Sequence, residues 1–178
     1  MVTQLHVRAI NERRVQGRLH VGALVFACII GRNGRGFRKC EGDGKTPVGM
    51  FRLGQGFYRA DRLRNPAAQL GLRVLLPSDG WCEVPGSGFY NQHVKLPFRD
   101  GHESMWRGDE AYDVVFATSH NERPRVQERG SAIFFHLTRA GCDVTAGCVA
   151  VSKADMRKIL SLCGRRVKLV VWPGQGGL

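Results

Sequence analysis

The sequence predicts a mainly β fold with one well-formed helix, on the border of the α+β class. Short apolar segments recur along the chain, and turn residues separate them, since 23 of the 178 residues are glycine. Only one segment has the apolar spacing of an amphipathic helix. This length is typical of one domain, so residues 1–178 are expected to form a single domain.

Apolar segments predict the strands of the first half of the chain. Their apolar residues either alternate with polar ones or run continuously, as in strands with one or two buried faces. Turn residues separate these segments: a polar turn at 11–17, a basic glycine loop at 31–36 and a dense turn at 42–49. The predicted strands are 5–9, 19–30, 50–53 and 72–76, and a helical turn is predicted after Pro66.

The second half is predicted to begin with a loop-rich segment, residues 77–113, which contains several aromatic residues. Buried strands are predicted at 114–117 and 132–137, and a last strand at 167–171. Loops with this many aromatic side chains are expected to pack on the core or beside a substrate.

The one clear helix is predicted over residues 152–163. Ser152 is a suitable N-cap, and Asp155 follows it at the spacing of a capping box. Gly164 is expected to end the helix. Apolar residues at helical spacing predict its buried face: Met156, Ile159, Leu160 and Cys163.

Composition narrows the possible partners. The net charge of +12 favours anionic partners such as nucleic acid, acidic lipid or an anionic polymer. The basic residues are dispersed along the chain, which is typical of a solvated surface. The six cysteines are too sparse for a disulfide scaffold, and no Cys-x-x-Cys pair indicates a standard zinc site.

The sequence predicts neither a membrane span nor a signal peptide. The longest apolar stretch, 21–30, is shorter than the roughly 20 residues that a membrane-spanning helix needs. The N-terminus lacks a basic start followed by an apolar segment and a small-residue cleavage site.

Residues 136–151 carry the pattern of a cysteine nucleophile with its base. His136 ends an apolar strand, and Cys148 follows Gly147 at a predicted turn. An imidazole activates a neighbouring thiol by accepting its proton, and a backbone carbonyl can orient that imidazole. Gly147 allows a tight turn whose N–H groups can stabilise an oxyanion. Activity is expected to rise with pH as this pair titrates.

These residues resemble the signature of the L,D-transpeptidase family, the YkuD-type catalytic domain. The signature is a His, a variable loop and then Ser/Thr-x-Gly-Cys, and it matches His136, Thr145, Gly147 and Cys148. Residues 46–51 resemble the family's Thr-Pro-x-Gly-x-Phe motif. The likeness extends over about residues 42–162, and its middle part is similar to a compact proteobacterial branch. It implies a YkuD-like β-sandwich or barrel.

The resemblance implies a peptidoglycan L,D-transpeptidase that forms a cysteine acyl-enzyme. Cys148 would attack the carbonyl of the third stem-peptide residue, usually meso-diaminopimelate, and the terminal D-Ala would leave with a proton from His136. An amine then takes the acyl group, or water does so in an L,D-carboxypeptidase side reaction. The family also implies acylation by carbapenem-type inhibitors, and it implies neither a metal nor an organic cofactor. A monomer is expected.

The resemblance also suggests roles for other residues. The Leu137 carbonyl would orient the imidazole, and the N–H groups of Gly147 and Cys148 would form the oxyanion hole. A basic groove would concentrate the carboxylates of peptidoglycan stems. The candidate substrate-binding residues are Thr145, Arg139, Trp106, Tyr112, His120 and Lys45.

Two departures from the family pattern keep alternatives open. Ala146 stands where the family often has His, and Ala150 stands where it often has Arg or Asn. The alternatives are an inactive cell-wall-binding member, a basic nucleic-acid-binding protein, and a zinc site formed by His136, Cys142 and Cys148. No specific nucleic-acid-binding motif is found. The inferred substrate indicates the periplasm or cell envelope, whereas the missing signal peptide keeps the cytoplasm open.

Overall fold

Strands dominate the computed structural model, which describes residues 1–10 and 15–174. Within those residues it contains one α-helix and one 3₁₀ turn, at Ala68–Leu70. In chain order the strands and the helix are β1 (Val2–Ala9), β2 (Gln16–Val21), β3 (Leu24–Ile29), β4 (Arg35–Gly36), β5 (Thr46–Pro47), β6 (Gly49–Tyr58), β7 (Arg73–Val74), β8 (Asp79–Cys82), β9 (Gln92–Lys95), β10 (His102–Ser104), β11 (Val114–Thr118), β12 (Phe134–Leu137), β13 (Val149–Val151), α1 (Lys153–Leu162) and β14 (Cys163–Val171).

The main sheet closes on itself. Its strands follow the order β11-β12-β13-β3-β2-β1-β14-β6, and β6 pairs again with β11, while β7 extends the sheet beyond β6. A closed sheet leaves no exposed edge along this ring. The predicted mainly β fold with one helix and a barrel-like sheet is therefore confirmed.

Two buried clusters occupy opposite faces of β11 and β12. Side chains alternate along a strand, so Phe135 packs with the core that also contains the buried face of α1, whereas Phe134 packs in a second cluster. Trp81 and Tyr112 both meet the Phe134 ring edge-on in that second cluster. Cys148 belongs to the second cluster as well, so the two faces of β12 separate the helix-side core from the cysteine.

The structure confirms that the helix begins after Ser152, as predicted. The Ser152 hydroxyl accepts a hydrogen bond from the Asp155 N–H at 3.0 Å. Met156, Ile159 and Leu160 are buried. Cys163 is buried too, but it has an extended backbone and begins β14, so α1 ends one residue earlier than the apolar spacing predicts.

Two strand predictions are corrected. The single strand predicted over 19–30 is a hairpin of β2 and β3, because Gly22 adopts φ 59° and turns the chain within the apolar stretch. The segment 77–113 contains a three-stranded sheet, β10-β8-β9, which its sequence did not reveal because the strands have only three or four residues each.

Three further predictions concern a turn, the domain organisation and membrane-spanning segments. Of the turn predicted over 11–17, residues 11–14 lie outside the described residues, and residues 16–17 belong to β2 instead. The extension of one domain over the full 1–178 stays a prediction. Within the described residues, no helix is long and apolar enough to cross a membrane.

Candidate active site

Two neighbouring strands bring together the histidine and the cysteine that the sequence singles out. β12 and β13 run parallel, with His136 opposite Ala150. Because side chains alternate, His136 lies on the same face of β12 as Phe134. Cys148 immediately precedes β13 and packs in the cluster that contains Phe134. His136 and Cys148 therefore lie on one face of adjacent strands, and both line one cavity of about 320 Å³.

The imidazole of His136 is held in one tautomer. Its Nδ1 lies 2.8 Å from the Leu137 carbonyl oxygen, which can only accept, so Nδ1 carries the hydrogen. Nε2 of the neutral ring is therefore the proton acceptor. The Tyr112 ring meets the imidazole edge-on at 5.4 Å between centroids. Burial disfavours the charged form and lowers the pKa of His136 to about 4.

The Cys148 thiol lies between two backbone groups. It donates to the Ala132 carbonyl at 3.2 Å and accepts from the Phe134 N–H at 3.3 Å. Burial raises the pKa of Cys148 to about 12. Together with the lowered pKa of His136, this makes the resting pair a neutral thiol and a neutral imidazole. A thiolate would then form only as the proton moves during the attack on a substrate.

A hydrogen-bonded turn precedes Cys148. The Thr145 hydroxyl donates to the Cys148 carbonyl at 2.7 Å and accepts from the Gly147 N–H at 3.2 Å. Gly147 has φ 144°, and a Cβ there would lie 2.9 Å from the Lys45 carbonyl oxygen, so only glycine fits. The Gly147 N–H is thus occupied by this turn. In the described part of the chain the Cys148 N–H has no hydrogen-bond partner, which leaves it as the available oxyanion donor.

The structure brings only some of the predicted substrate-binding residues to the cavity. Thr145, Arg139 and Tyr112 line it, as do the two alanines that depart from the family pattern, Ala146 and Ala150. Arg139 is exposed and lies 3.4 Å from an oxygen of Asp109, so its charge is shared with a carboxylate.

The other three predicted substrate-binding residues do not line this cavity. The Trp106 ring lies under the guanidinium of Arg59 at 3.5 Å. His120 Nε2 lies 2.9 Å from the Arg129 carbonyl oxygen. Lys45 is exposed, and its backbone N–H donates to the Asp43 carboxylate. These contacts are structural. They arise from tertiary packing, which the sequence does not reveal.

Sequence reasoning missed Asn91, which lies beside the site. Its side chain accepts from the Trp81 indole N–H at 3.0 Å and from the Ala132 N–H at 3.1 Å, and it donates to the carbonyls of His120 and Asn121. Ala132 is the residue whose carbonyl accepts the Cys148 thiol proton, and it adopts φ 50°. Asn91 therefore holds the backbone that surrounds the sulfur. No local sequence signal marks this role.

Sequence reasoning also missed the acidic side chains of the cavity. Glu41, Glu83 and Glu103 line it, together with the basic residues Arg32, Lys39, Arg107 and Arg139. The expected basic groove is therefore a cavity of mixed charge. The three glutamates are far apart in the sequence and meet only in the folded chain.

The geometry does not favour the zinc alternative. Within the described residues, no three His, Cys, Asp or Glu side chains are grouped so that they could hold a metal ion. Cys142 lines the cavity, but its thiol donates to the Val144 carbonyl at 3.2 Å. Hydrogen bonding to the backbone of Val144 and to the nearby Arg139 lowers the pKa of Cys142, which makes it a second candidate thiol.

Comparison with known families shows to which protein family this chain is related. The sequence pattern of YkuD, described as the L,D-transpeptidase catalytic domain, matches residues 10–171. The chain belongs to the YkuD family. The match extends beyond the segment 42–162 that carries the resemblance in sequence, and it adds β2, β3 and β14 of the closed sheet. No curated protein sequence matches the chain.

Among solved structures, the chain is similar to the helical cell shape determining protein Pgp2 from Campylobacter jejuni. The sequences are 17% identical, the TM-score is 0.50, and the alignment covers 98% of this chain and 48% of the Campylobacter chain. A K307A mutant of the same protein aligns with a TM-score of 0.48, again at 17% identity with 98% and 48% coverage. This YkuD family member therefore shares a fold with Pgp2 and spans about half its length.

Proposed function

We propose that this protein is a peptidoglycan L,D-transpeptidase that uses Cys148 as nucleophile and His136 as base. The observation that carries the proposal is the arrangement in one cavity of a buried thiol and an imidazole whose Nδ1–H is held by the Leu137 carbonyl. Membership of the YkuD family supports the same chemistry. Thr145 holds the turn before the nucleophile through its two hydrogen bonds.

In the first half of the proposed reaction the enzyme is acylated. Sγ of Cys148 bonds to the carbonyl carbon of the third stem residue while its proton moves to Nε2 of His136. The Cys148 N–H donates to the oxyanion. The C–N bond to the terminal D-Ala then breaks, and His136 returns the proton to the leaving amine.

In the second half the acyl group is transferred. An acceptor amine gives a proton to Nε2 of His136 and bonds to the carbonyl carbon. The S–C bond breaks, and the sulfur of Cys148 takes the proton back. Water in place of the amine gives hydrolysis. Since this substrate belongs to the cell wall, we place the protein in the periplasm or cell envelope.

Covalent labelling tests the nucleophile. The wild-type protein and Cys148→Ala are incubated with a carbapenem, and intact masses are measured. One adduct on the wild-type protein and none on Cys148→Ala are expected. Stem tetrapeptide should likewise release D-Ala with the wild-type protein only.

The matched control is Cys142→Ala, because Cys142 is the other thiol of the cavity and has a lowered pKa. It should keep the adduct. Labelling that survives in Cys148→Ala and disappears in Cys142→Ala would overturn the assignment of the nucleophile. A wild-type protein that binds peptidoglycan but neither forms an adduct nor releases D-Ala would favour the inactive wall-binding alternative.

A further inference from the structure

The carboxylate of Glu103 is fixed at the cavity by one of its two oxygens. Oε1 accepts from the Tyr112 hydroxyl at 2.7 Å and lies 3.3 Å from a nitrogen of Arg107. Both partners, like Glu103, line the cavity that contains Cys148. A carboxylate held in this way is oriented before any ligand arrives.

The second oxygen of Glu103 has no protein partner among the described residues. No hydrogen bond reaches Oε2 from the described residues, yet no buried side-chain oxygen or nitrogen among those residues lacks a partner. Oε2 is therefore not fully buried, and it belongs to a residue that lines the cavity. It is an unused acceptor beside the proposed nucleophile.

The charge around this oxygen favours a cation. Arg107, which bonds to Glu103, makes two shorter hydrogen bonds to Asp109, at 2.8 and 2.7 Å. Glu41 and Glu83 line the same cavity, and the negative charge of Glu103 helps to raise the pKa of Glu83, after burial, which is the larger cause. The cavity is of mixed charge, but Arg107 is paired with Asp109, and the three glutamates are groups that attract a cation.

We propose that Oε2 of Glu103 binds the side-chain ammonium of the donor residue whose carbonyl Cys148 attacks. This inference rests on the proposed function and names a specificity-determining residue for it. The contact would be a charge-assisted hydrogen bond from a primary ammonium to a partly desolvated carboxylate.

The donor fits this role better than the acceptor does. A donor side-chain ammonium stays charged throughout the reaction, so a fixed carboxylate stabilises it at every step. An acceptor amine must lose its proton before it attacks, and a neighbouring carboxylate would stabilise the unreactive protonated form.

Single-turnover acylation with two matched donors tests the proposal. Both are stem tetrapeptides, with lysine at position three in one and Nε-acetyllysine in the other, which removes the charge. The wild-type protein should acylate about 10- to 100-fold faster with lysine, as expected for a hydrogen bond to a charged group. Glu103→Gln should lose this preference while its rate with acetyllysine changes little.

The matched control is Glu122→Gln, the same chemical change at a half-exposed carboxylate that pairs with Arg52 and does not line the cavity. It should keep the lysine preference. A preference that survives in Glu103→Gln overturns the proposal. Equal losses with both donors would instead show a structural role, and a change confined to amine transfer after acylation would assign Glu103 to the acceptor.

Failure of this inference can be told apart from failure of the proposed function. A carbapenem or penem without an amino group reports Cys148 acylation independently of any side-chain ammonium. If wild-type protein and Glu103→Gln both form that adduct but neither prefers lysine, only the role of Glu103 is wrong. If no adduct depends on Cys148, the proposed function itself is wrong.

Discussion

Two segments build the site in different ways. Residues 132–151 carry the histidine, the cysteine and the turn between them, and the spacing of these residues in the sequence indicates their chemistry. Residues 77–113 have no such pattern, but they contribute Asn91, Glu103 and Tyr112 to the surroundings of the same sulfur and imidazole. The comparison teaches that a short sequence pattern marks the proposed reactive groups, whereas the residues that surround them come from a segment with no such pattern.

The largest effect is expected from a change at His136, in the segment 132–151. His136→Ala should slow acylation of Cys148 by about 10²- to 10⁴-fold, because the thiol proton loses its acceptor. Single-turnover rates with tetrapeptide measure this. His20→Ala is the control, since His20 lies on β2 and does not line the cavity. A His136→Ala rate within a few-fold of the wild-type rate would remove the imidazole from the mechanism.

The next largest effect is expected at Asn91, in the segment 77–113. Asn91→Ala should lower the free energy of unfolding by about 2–4 kcal/mol, because it leaves the N–H groups of Trp81 and Ala132 without their acceptor. Denaturant titration measures the change. Gln92→Ala, which loses one exposed hydrogen bond to Gly88, should cost no more than about 0.5 kcal/mol. Equal costs for the two variants would contradict the role given to Asn91.

A smaller effect is expected at the turn before the nucleophile. Thr145→Val removes both hydrogen bonds of the hydroxyl and should cost about 1–2 kcal/mol of stability, with slower acylation. Thr145→Ser keeps the hydroxyl and should recover most of the loss. A valine variant as stable as the wild-type protein, beside a destabilised serine variant, would show that the methyl group and not the hydroxyl supports the turn.

The smallest expected effect is that of pH between about 5 and 9. Acylation needs a neutral His136, and because burial lowers its pKa to about 4, activity should fall only as the pH drops toward that value. The Cys148 thiol, with its pKa raised to about 12, stays protonated over the same range. A pH–rate profile of acylation should therefore be flat there. If the rate instead rises with pH around the ordinary imidazole pKa of about 6.5, the expectation from the sequence is right, namely that activity rises as the pair titrates.

The helix and the strands around the site were predictable because their signals are local. The Ser152 cap and the apolar face of α1 depend on residues within a few positions of each other. The hairpin within 19–30 was missed because an uninterrupted apolar stretch hides the turn at Gly22. The sheet β10-β8-β9 was missed because its short strands gain their partners only from the fold.

The sequence by itself indicated the family and the mainly β class and singled out His136 and Cys148 as the proposed pair, because each depends on residue type and spacing. Only the tertiary structure decided the environment of that pair. Burial, which depends on the whole chain, keeps the thiol and the imidazole neutral. Packing in the folded chain places Trp106 against Arg59 and His120 against the Arg129 carbonyl, and it brings Glu103 to the cavity.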